Sequence, residues 1–247
     1  MVGMIFAAGL GTRLKPLTDT MPKALVPLGG KPLIQWQVEK LRDAGITHIV
    51  VNVHHFADQI IEAIKAHNSW GCDIRISDER EALLDTGGGL RKAYLDGLFA
   101  GFEEEPVLAC NVDILSTIDL QALTTNPRVL SRKTSMLVVS ARNTQRYLCF
   151  DEQDRLCGWT NIATGEIKGQ DGRHLAFSGM QVLTPDVLRR LSEMPEEKFS
   201  LIPFYLHIMQ QESLQAYIPA DYKMMDVGKI EQIAEAEQFA ATLCTKI

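Results

Sequence analysis

One feature constrains this chain more than any other: an apolar run that breaks abruptly into glycine. Val2 to Ala8 carries no charged side chain and gives way at once to Gly9-Leu10-Gly11. A strand wet on one face alternates polar with apolar residues. A continuous apolar run is covered on both faces, which is the habit of parallel strands beneath crossover helices. His48 to Val53, Asp73 to Ser77, Val107 to Val112 and Ser135 to Ala141 read as further strands rich in Val, Ile or Leu. Between the early strands lie helical patterns. Pro32 suits a first helical turn, Ile34, Val38 and Leu41 recur at helical spacing, and Gly45 supplies the stop. Ala57 to His67 forms a second such pattern, with Ile60, Ile61 and Ile64 on one face. The alternation predicts an α/β chain: a three-layer, doubly wound, mainly parallel but mixed sheet with helices on both faces, of Rossmann-like type. Ligands of such folds sit at the carboxyl ends of the strands.

Beyond Ala141 the pattern loosens. Arg142 to His174 is polar and turn-rich before apolar residues resume at Phe177 to Leu183. Residues 142–176 therefore read as a substrate-binding insertion in a single domain spanning 1–247. Lys229 to Leu243, with Ile230, Ile233, Ala234 and Phe239, predicts a closing helix. A formal net charge of -6 argues against a general nucleic-acid binder, while leaving room for a local basic pocket for small anions. No stretch is long enough to span a membrane, and the N-terminal apolar run, broken by glycines and followed by Arg13 and Lys15, does not read as a signal peptide. Cys72, Cys110, Cys149, Cys157 and Cys244 are odd in number and scattered. They suit reduced thiols of a cytoplasmic protein.

The densest signal is Gly9-Leu10-Gly11-Thr12-Arg13, continuing through Pro16, Thr18, Pro22-Lys23 and Pro27 to Lys31-Pro32. Gly9 and Gly11 let the backbone turn sharply and present amides to phosphate oxygens without a Cβ in the way. Arg13 adds a planar charged fork, and the prolines stiffen the segment so that Lys23 is held. Gly-x-Gly alone is often only a turn. The pattern is neither a Walker loop, which needs Gly-Lys-Ser/Thr, nor the dinucleotide fingerprint, which needs a third glycine.

Taken together, Gly9, Gly11, Thr12, Arg13, Pro16, Thr18, Pro22, Lys23, Pro27, Lys31 and Pro32 resemble the signature of the sugar 1-phosphate nucleotidyltransferases. Compact bacterial uridylyltransferases for N-acetylmuramate 1-phosphate and guanylyltransferases for heptose 1-phosphate are the nearest branches, on Asp85-Thr86-Gly87-Gly88-Gly89 and Phe177-Ser178-Gly179. The resemblance implies a nucleotidyltransferase (GT-A-like) fold and transfer of a nucleoside monophosphate from UTP or GTP to a sugar 1-phosphate, with release of pyrophosphate. It implies magnesium, and a monomer or small homo-oligomer without nucleic acid or membrane partners. Choline phosphate or a molybdenum cofactor as acceptor, and a catalytically silent nucleotide-sugar sensor, are the rival readings.

Two anionic phosphates do not approach each other without cations between them. Asp113 follows the strand Val107 to Val112, and Asn111-Val112-Asp113 resembles the family's metal segment; an aspartate there can also be a simple strand-end cap. Asp226, in Met225-Asp226-Val227-Gly228, resembles the second metal aspartate. By the same resemblance Arg13, Lys23 and Asp113 carry catalysis, and Ala8, Gly9, Gly11, Thr12, Arg13, Glu79, Thr86, Gly87 and Gly88 bind the nucleotide. The triple glycine invites close backbone approach, and Glu79 best fits the base-reading position, with Arg80 or Glu81 as alternatives. Asn161, Ser178 and Gly179 fall on the sugar side. The family's Glu-Lys-Pro lysine has no counterpart in Gly158-Trp159-Thr160-Asn161, which leaves Arg142, Arg146 or Lys168 to meet the sugar phosphate.

Overall fold

In the computed structural model, which describes residues 1–244, a ten-stranded mixed sheet runs through the molecule. Its strands are β1 (Val2–Phe6), β2 (His48–Val53), β3 (Asp73–Asp78), β4 (Val107–Asn111), β5 (Ser135–Ser140), β6 (Arg146–Phe150), β7 (Leu156–Asn161), β8 (Glu166–Gly169), β9 (Arg173–Leu183) and β10 (Leu214–Tyr217). The order along the main path is β8-β7-β6-β9-β4-β1-β2-β3, with β5 bridging β9 and β10. β4, β1, β2 and β3 are mutually parallel, so β1 is flanked on both sides by parallel neighbours. Two-sided burial explains its uninterrupted apolar sequence. Along β1 the side chains divide by parity: Val2, Met4 and Phe6 enter one core, while Ile5 and then Ala7 enter the other.

The first core lies under α1 (Leu33–Asp43), α2 (Ala57–Ala66) and the closing α6 (Ile233–Cys244), through Val38, Leu41, Ile60, Ile64, Ala236 and Ala240. The second lies under α3 (Asp85–Leu95), α4 (Pro185–Ser192) and α5 (Leu201–Ile208), through Leu90, Val187, Leu191, Phe204 and Ile208. Three layers result, as the strand–helix alternation implies.

The polar stretch after β5 is more regular than its composition suggests. β6, β7 and β8 form an antiparallel ribbon that joins β9 edge to edge. Every residue of β8 is exposed, so no hydrophobic alternation announces it. α4, α5 and β10 also have no counterpart among the sequence expectations. Among the described residues no helix is long and apolar enough to cross a membrane. Both ends of the main path carry charge: Asp73, Arg75 and Asp78 on β3, and Glu166 and Lys168 on β8.

Candidate active site

The loop that leaves β1 opens a cleft of about 520 Å³, within the size range of small-molecule sites. Gly11 takes a left-handed conformation (φ 64°), and a Cβ there would fall 2.9 Å from Thr18 Cγ2 and 3.0 Å from Lys23 Cβ. The buried Thr18 hydroxyl donates to the Gly11 carbonyl at 2.8 Å. The loop is thereby folded onto the segment that delivers Lys23. Around Gly9 the space is open, with nothing within 4 Å of an ideal Cβ. Ala8, Gly9, Gly11, Thr12, Arg13, Lys23, Glu79, Thr86 and Asp113 all line this cleft.

Lys23 is 8% exposed, and its ammonium pairs with Asp113. Asp226 lies across a two-stranded ladder in which it faces Ile114, the residue after Asp113, and Val227 N–H donates to the Asp113 carbonyl at 2.9 Å. Gly228 allows this corner to close: a Cβ there would fall 2.8 Å from Asp226 Oδ1 and 3.0 Å from Arg13 Nη2. Arg13, Lys23, Asp113 and Asp226 thus converge from three remote stretches. Partial desolvation and the facing Asp113 push the Asp226 carboxyl above its ordinary value, while Lys23 and Arg13 pull the other way. The ladder is held from behind by α1. The Gln37 amide donates to the Ile114 carbonyl at 2.7 Å, and the Lys40 ammonium donates to the Ser116 carbonyl and, at 2.8 Å, to its hydroxyl.

Glu79 is only 2% exposed, and its two oxygens are engaged: Oε1 accepts from the Asn52 amide at 2.7 Å and Oε2 from Leu84 N–H at 3.3 Å. The Asn52 amide oxygen in turn accepts from Ala7 N–H at 2.7 Å. Burial pushes the Glu79 carboxyl above the usual carboxylate range, against the pull of those donors. Glu79 is therefore a strut beneath the cleft, coupled to the end of β1 through Asn52. Asn52, Lys198 and Gly228 also line the cleft, and the sequence reading did not single them out. Asn52 did leave a signal, as the one polar residue in the run Ile49 to Val53.

Gly87 and Gly88, expected to admit a ligand, do not line this cleft. Both amides donate to the Phe199 carbonyl, at 2.8 and 3.0 Å. A Cβ on Gly87 would collide with the Phe199 ring at 2.4 Å, and one on Gly88 with the Glu197 carbonyl at 2.1 Å. The close approach is made by the chain itself. Ser200 Oγ donates to Asp85, Leu201 N–H to the Thr86 hydroxyl, and Phe199 N–H to the Leu84 carbonyl, completing a latch between 84–88 and 199–201.

A second hollow of about 430 Å³ adjoins the latch at Ser200, with Arg142, Arg146, Lys168, Tyr147 and Trp159 on its walls. Asn161 does not face it: its side chain closes the turn after β7 by accepting from Ala163 N–H at 3.1 Å. Ser178 is fully buried, so its hydroxyl is not presented to a ligand. Gly179 (φ 69°) lies against Asn111 of the first cleft, where a Cβ would fall 2.8 Å from the Asn111 amide nitrogen. None of the three sugar-side expectations lines the cleft, and only Gly179 packs against a residue that does.

A family model described as nucleotidyl transferase matches residues 2–242. The chain is 32% identical over 215 residues to the N-acetylmuramate alpha-1-phosphate uridylyltransferase of Caulobacter vibrioides, covering 83% of this chain and 82% of that relative. With the enzyme of the same name from Neisseria meningitidis serogroup B it shares 31% identity over 240 residues, covering 97% and 98%. Among solved structures, HddC from Yersinia pseudotuberculosis complexed with GMP-PN superposes with a TM-score of 0.71 at 22% identity, covering 97% of this chain and 100% of that one. A UDP-glucose pyrophosphorylase complexed with UDP-glucose gives 0.77 at 19%, covering 98% and 100%. At such identities the two structures speak for the fold.

Proposed function

Because the chain belongs to the nucleotidyl transferase family, we propose that it transfers the nucleoside monophosphate of a nucleoside triphosphate to a sugar 1-phosphate, yielding a nucleotide sugar and pyrophosphate. The observation that carries this reading is the meeting of Arg13, Lys23 and Asp113 on one glycine-lined cleft, with Asp226 beside Gly228 at its corner. A sugar phosphate oxygen forms the new bond to the α-phosphorus, and the bond to the β-phosphate oxygen breaks as pyrophosphate leaves. Arg13 and the loop amides offset charge on the leaving phosphates, and Lys23 draws the α-phosphate and the incoming phosphate together. The acceleration is positional and electrostatic, with no covalent enzyme intermediate.

Asp113 and Asp226 are hard oxygen donors of the kind magnesium takes, sharing one corner of the cleft. Bound there, the ion supplies charge neutralisation between reacting phosphates. Lys23 already occupies Asp113, which fits a carboxylate exchanging between a resident cation and a metal.

For the base, UTP is the better candidate. The case for GTP needs a carboxylate at Glu79 exposed to accept two adjacent donors of guanine, whereas that side chain is 2% exposed and each oxygen already accepts from Asn52 or Leu84. The names of the two uridylyltransferase relatives agree. We assign the sugar side to the hollow bounded by Arg142, Arg146 and Lys168, within the insertion 142–176 of a single domain, and the reaction to the cytoplasm. The test is pyrophosphate release from a matrix of UTP and GTP against several sugar 1-phosphates, N-acetylmuramate 1-phosphate included, with Asp113→Ala alongside. Turnover with UTP is expected, lost in an Asp113→Ala variant that circular dichroism shows to be folded, with a lowered melting temperature because the buried Lys23 loses its partner. A preference for GTP would overturn the base assignment, and an active Asp113→Ala the metal site.

A further inference from the structure

Outside the cleft, the ribbon β6–β8 meets the start of β9 at a cluster of mixed donors. Cys149 Sγ, an Asp171 carboxylate oxygen and a His174 ring nitrogen all lie within 4.8 Å of one another. His174 stands directly opposite Cys149 in the antiparallel register, so the two side chains share a face. His174 Nε2 is 2.6 Å from Asp171 Oδ1, and Cys149 Sγ is 3.9 Å from the same oxygen. Bonds of about 2.3 Å to sulfur and about 2.0 Å to nitrogen and oxygen place the ligands of a tetrahedral zinc ion roughly 3.3–3.8 Å apart, so the donors need to move by less than about 1 Å.

The surroundings point the same way. Nearby Asp151 and Asp154 are each paired with an arginine, Arg155 and Arg173 respectively. Asp171 is met instead by an imidazole, a group that is itself a metal ligand. A second thiol, Cys157, borders the same turn, with Sγ 3.7 Å from the Gln170 carbonyl and 3.9 Å from that of Asp171. Sulfur with nitrogen selects borderline-soft cations over magnesium or calcium. We propose that Cys149, Asp171 and His174 form a binding site for a zinc-class divalent cation, distinct from the carboxylate corner of the cleft. The ion would fasten β6 to the turn entering β9, the strand that runs on to Gly179 behind Asn111 of the cleft.

The experiment titrates zinc chloride, and in parallel cobalt(II), into the reduced, metal-stripped full-length protein with excess magnesium present. One equivalent of cation, a cobalt–thiolate charge-transfer band and a zinc-dependent rise in melting temperature are expected. Loss of outer partners at metal sites costs about 10- to 100-fold in affinity, so His174→Ala and Asp171→Asn, both at the surface, should weaken binding at least that much. Cys149→Ala should remove the thiolate band. Because Cys149 is buried, circular dichroism must show that this variant is folded, and the two surface variants carry the test if it is not. The proposal is overturned if zinc affinity is unchanged in both surface variants, if no thiolate band forms in the wild type, or if freshly isolated protein holds Cys149 and Cys157 in a disulfide.

Discussion

Replacing Gly88 by alanine separates space reserved for the chain from space reserved for a ligand. The new methyl would sit 2.1 Å from the Glu197 carbonyl oxygen, whereas carbon–oxygen contacts settle near about 3.3 Å. Either the start of α3 or the strap 197–199 must yield by roughly 1 Å. Overpacking of this kind costs about 1–3 kcal/mol, and the better helix propensity of alanine returns up to about 1 kcal/mol. A net loss of about 1–2 kcal/mol corresponds to a fall of about 2–8 °C in melting temperature for a domain of this size. Lys198 rides on the strap and lines the cleft, so the same displacement should raise KM for the triphosphate several-fold while sparing kcat. Gly9→Ala is the counterpart: its methyl meets no protein atom, so the melting temperature should hold while KM rises. Differential scanning calorimetry and steady-state pyrophosphate release on both variants suffice. Wild-type melting and kinetics in Gly88→Ala, or a lowered melting temperature in Gly9→Ala, would refute the division.

Asn52→Ala removes the acceptor of Ala7 N–H and a donor to the buried Glu79 carboxylate. It should destabilise the protein by about 2–3 kcal/mol, as an unsatisfied buried group does, and raise KM for UTP; unchanged urea unfolding would show that the strut is dispensable. Burial lowers the Lys40 ammonium to about 8. Between that value and its ordinary 10.5 the unfolded chain binds more protons than the folded one, so the Lys40 contribution to stability grows as pH rises through that window. Wild type should therefore gain in urea midpoint relative to Lys40→Met between pH 7 and about pH 10, and a pH-independent difference would contradict it.

The parts of this molecule readable in the sequence are those encoded locally. β1 announces itself because two-sided burial leaves no polar position, the loop because Gly11 needs its left-handed turn, and Asp113 because it lies in the turn just past a buried strand. The latch was not readable, since it joins Asp85 to Ser200 across 115 residues and the triple glycine carries no mark of which partner fills its empty space. Glu79 shows a related limit. An acidic residue before a glycine cluster looks like a ligand contact, and only the position of Asn52, 27 residues away, reveals that it is turned inward to brace the strand. The ribbon escaped notice because exposed β8 carries no hydrophobic period.

The charged rims of the main sheet bear on how copies of this chain can assemble. Asp73, Arg75 and Asp78 on β3, like Glu166 and Lys168 on β8, would each meet the same residue type or its neighbour in a second copy that tried to extend the sheet. On β3 two of three charges are negative, and pairing two such rims would bring like charges together and strip water from them. Continuation of the strands between molecules is thus discouraged at the β3 end, whereas Glu166 and Lys168 of β8 could pair with each other's counterparts across a two-fold axis. Growth of the sheet from the β3 rim into a second copy is resisted by charge, and the parallel strands that carry the cleft loops keep that rim to themselves.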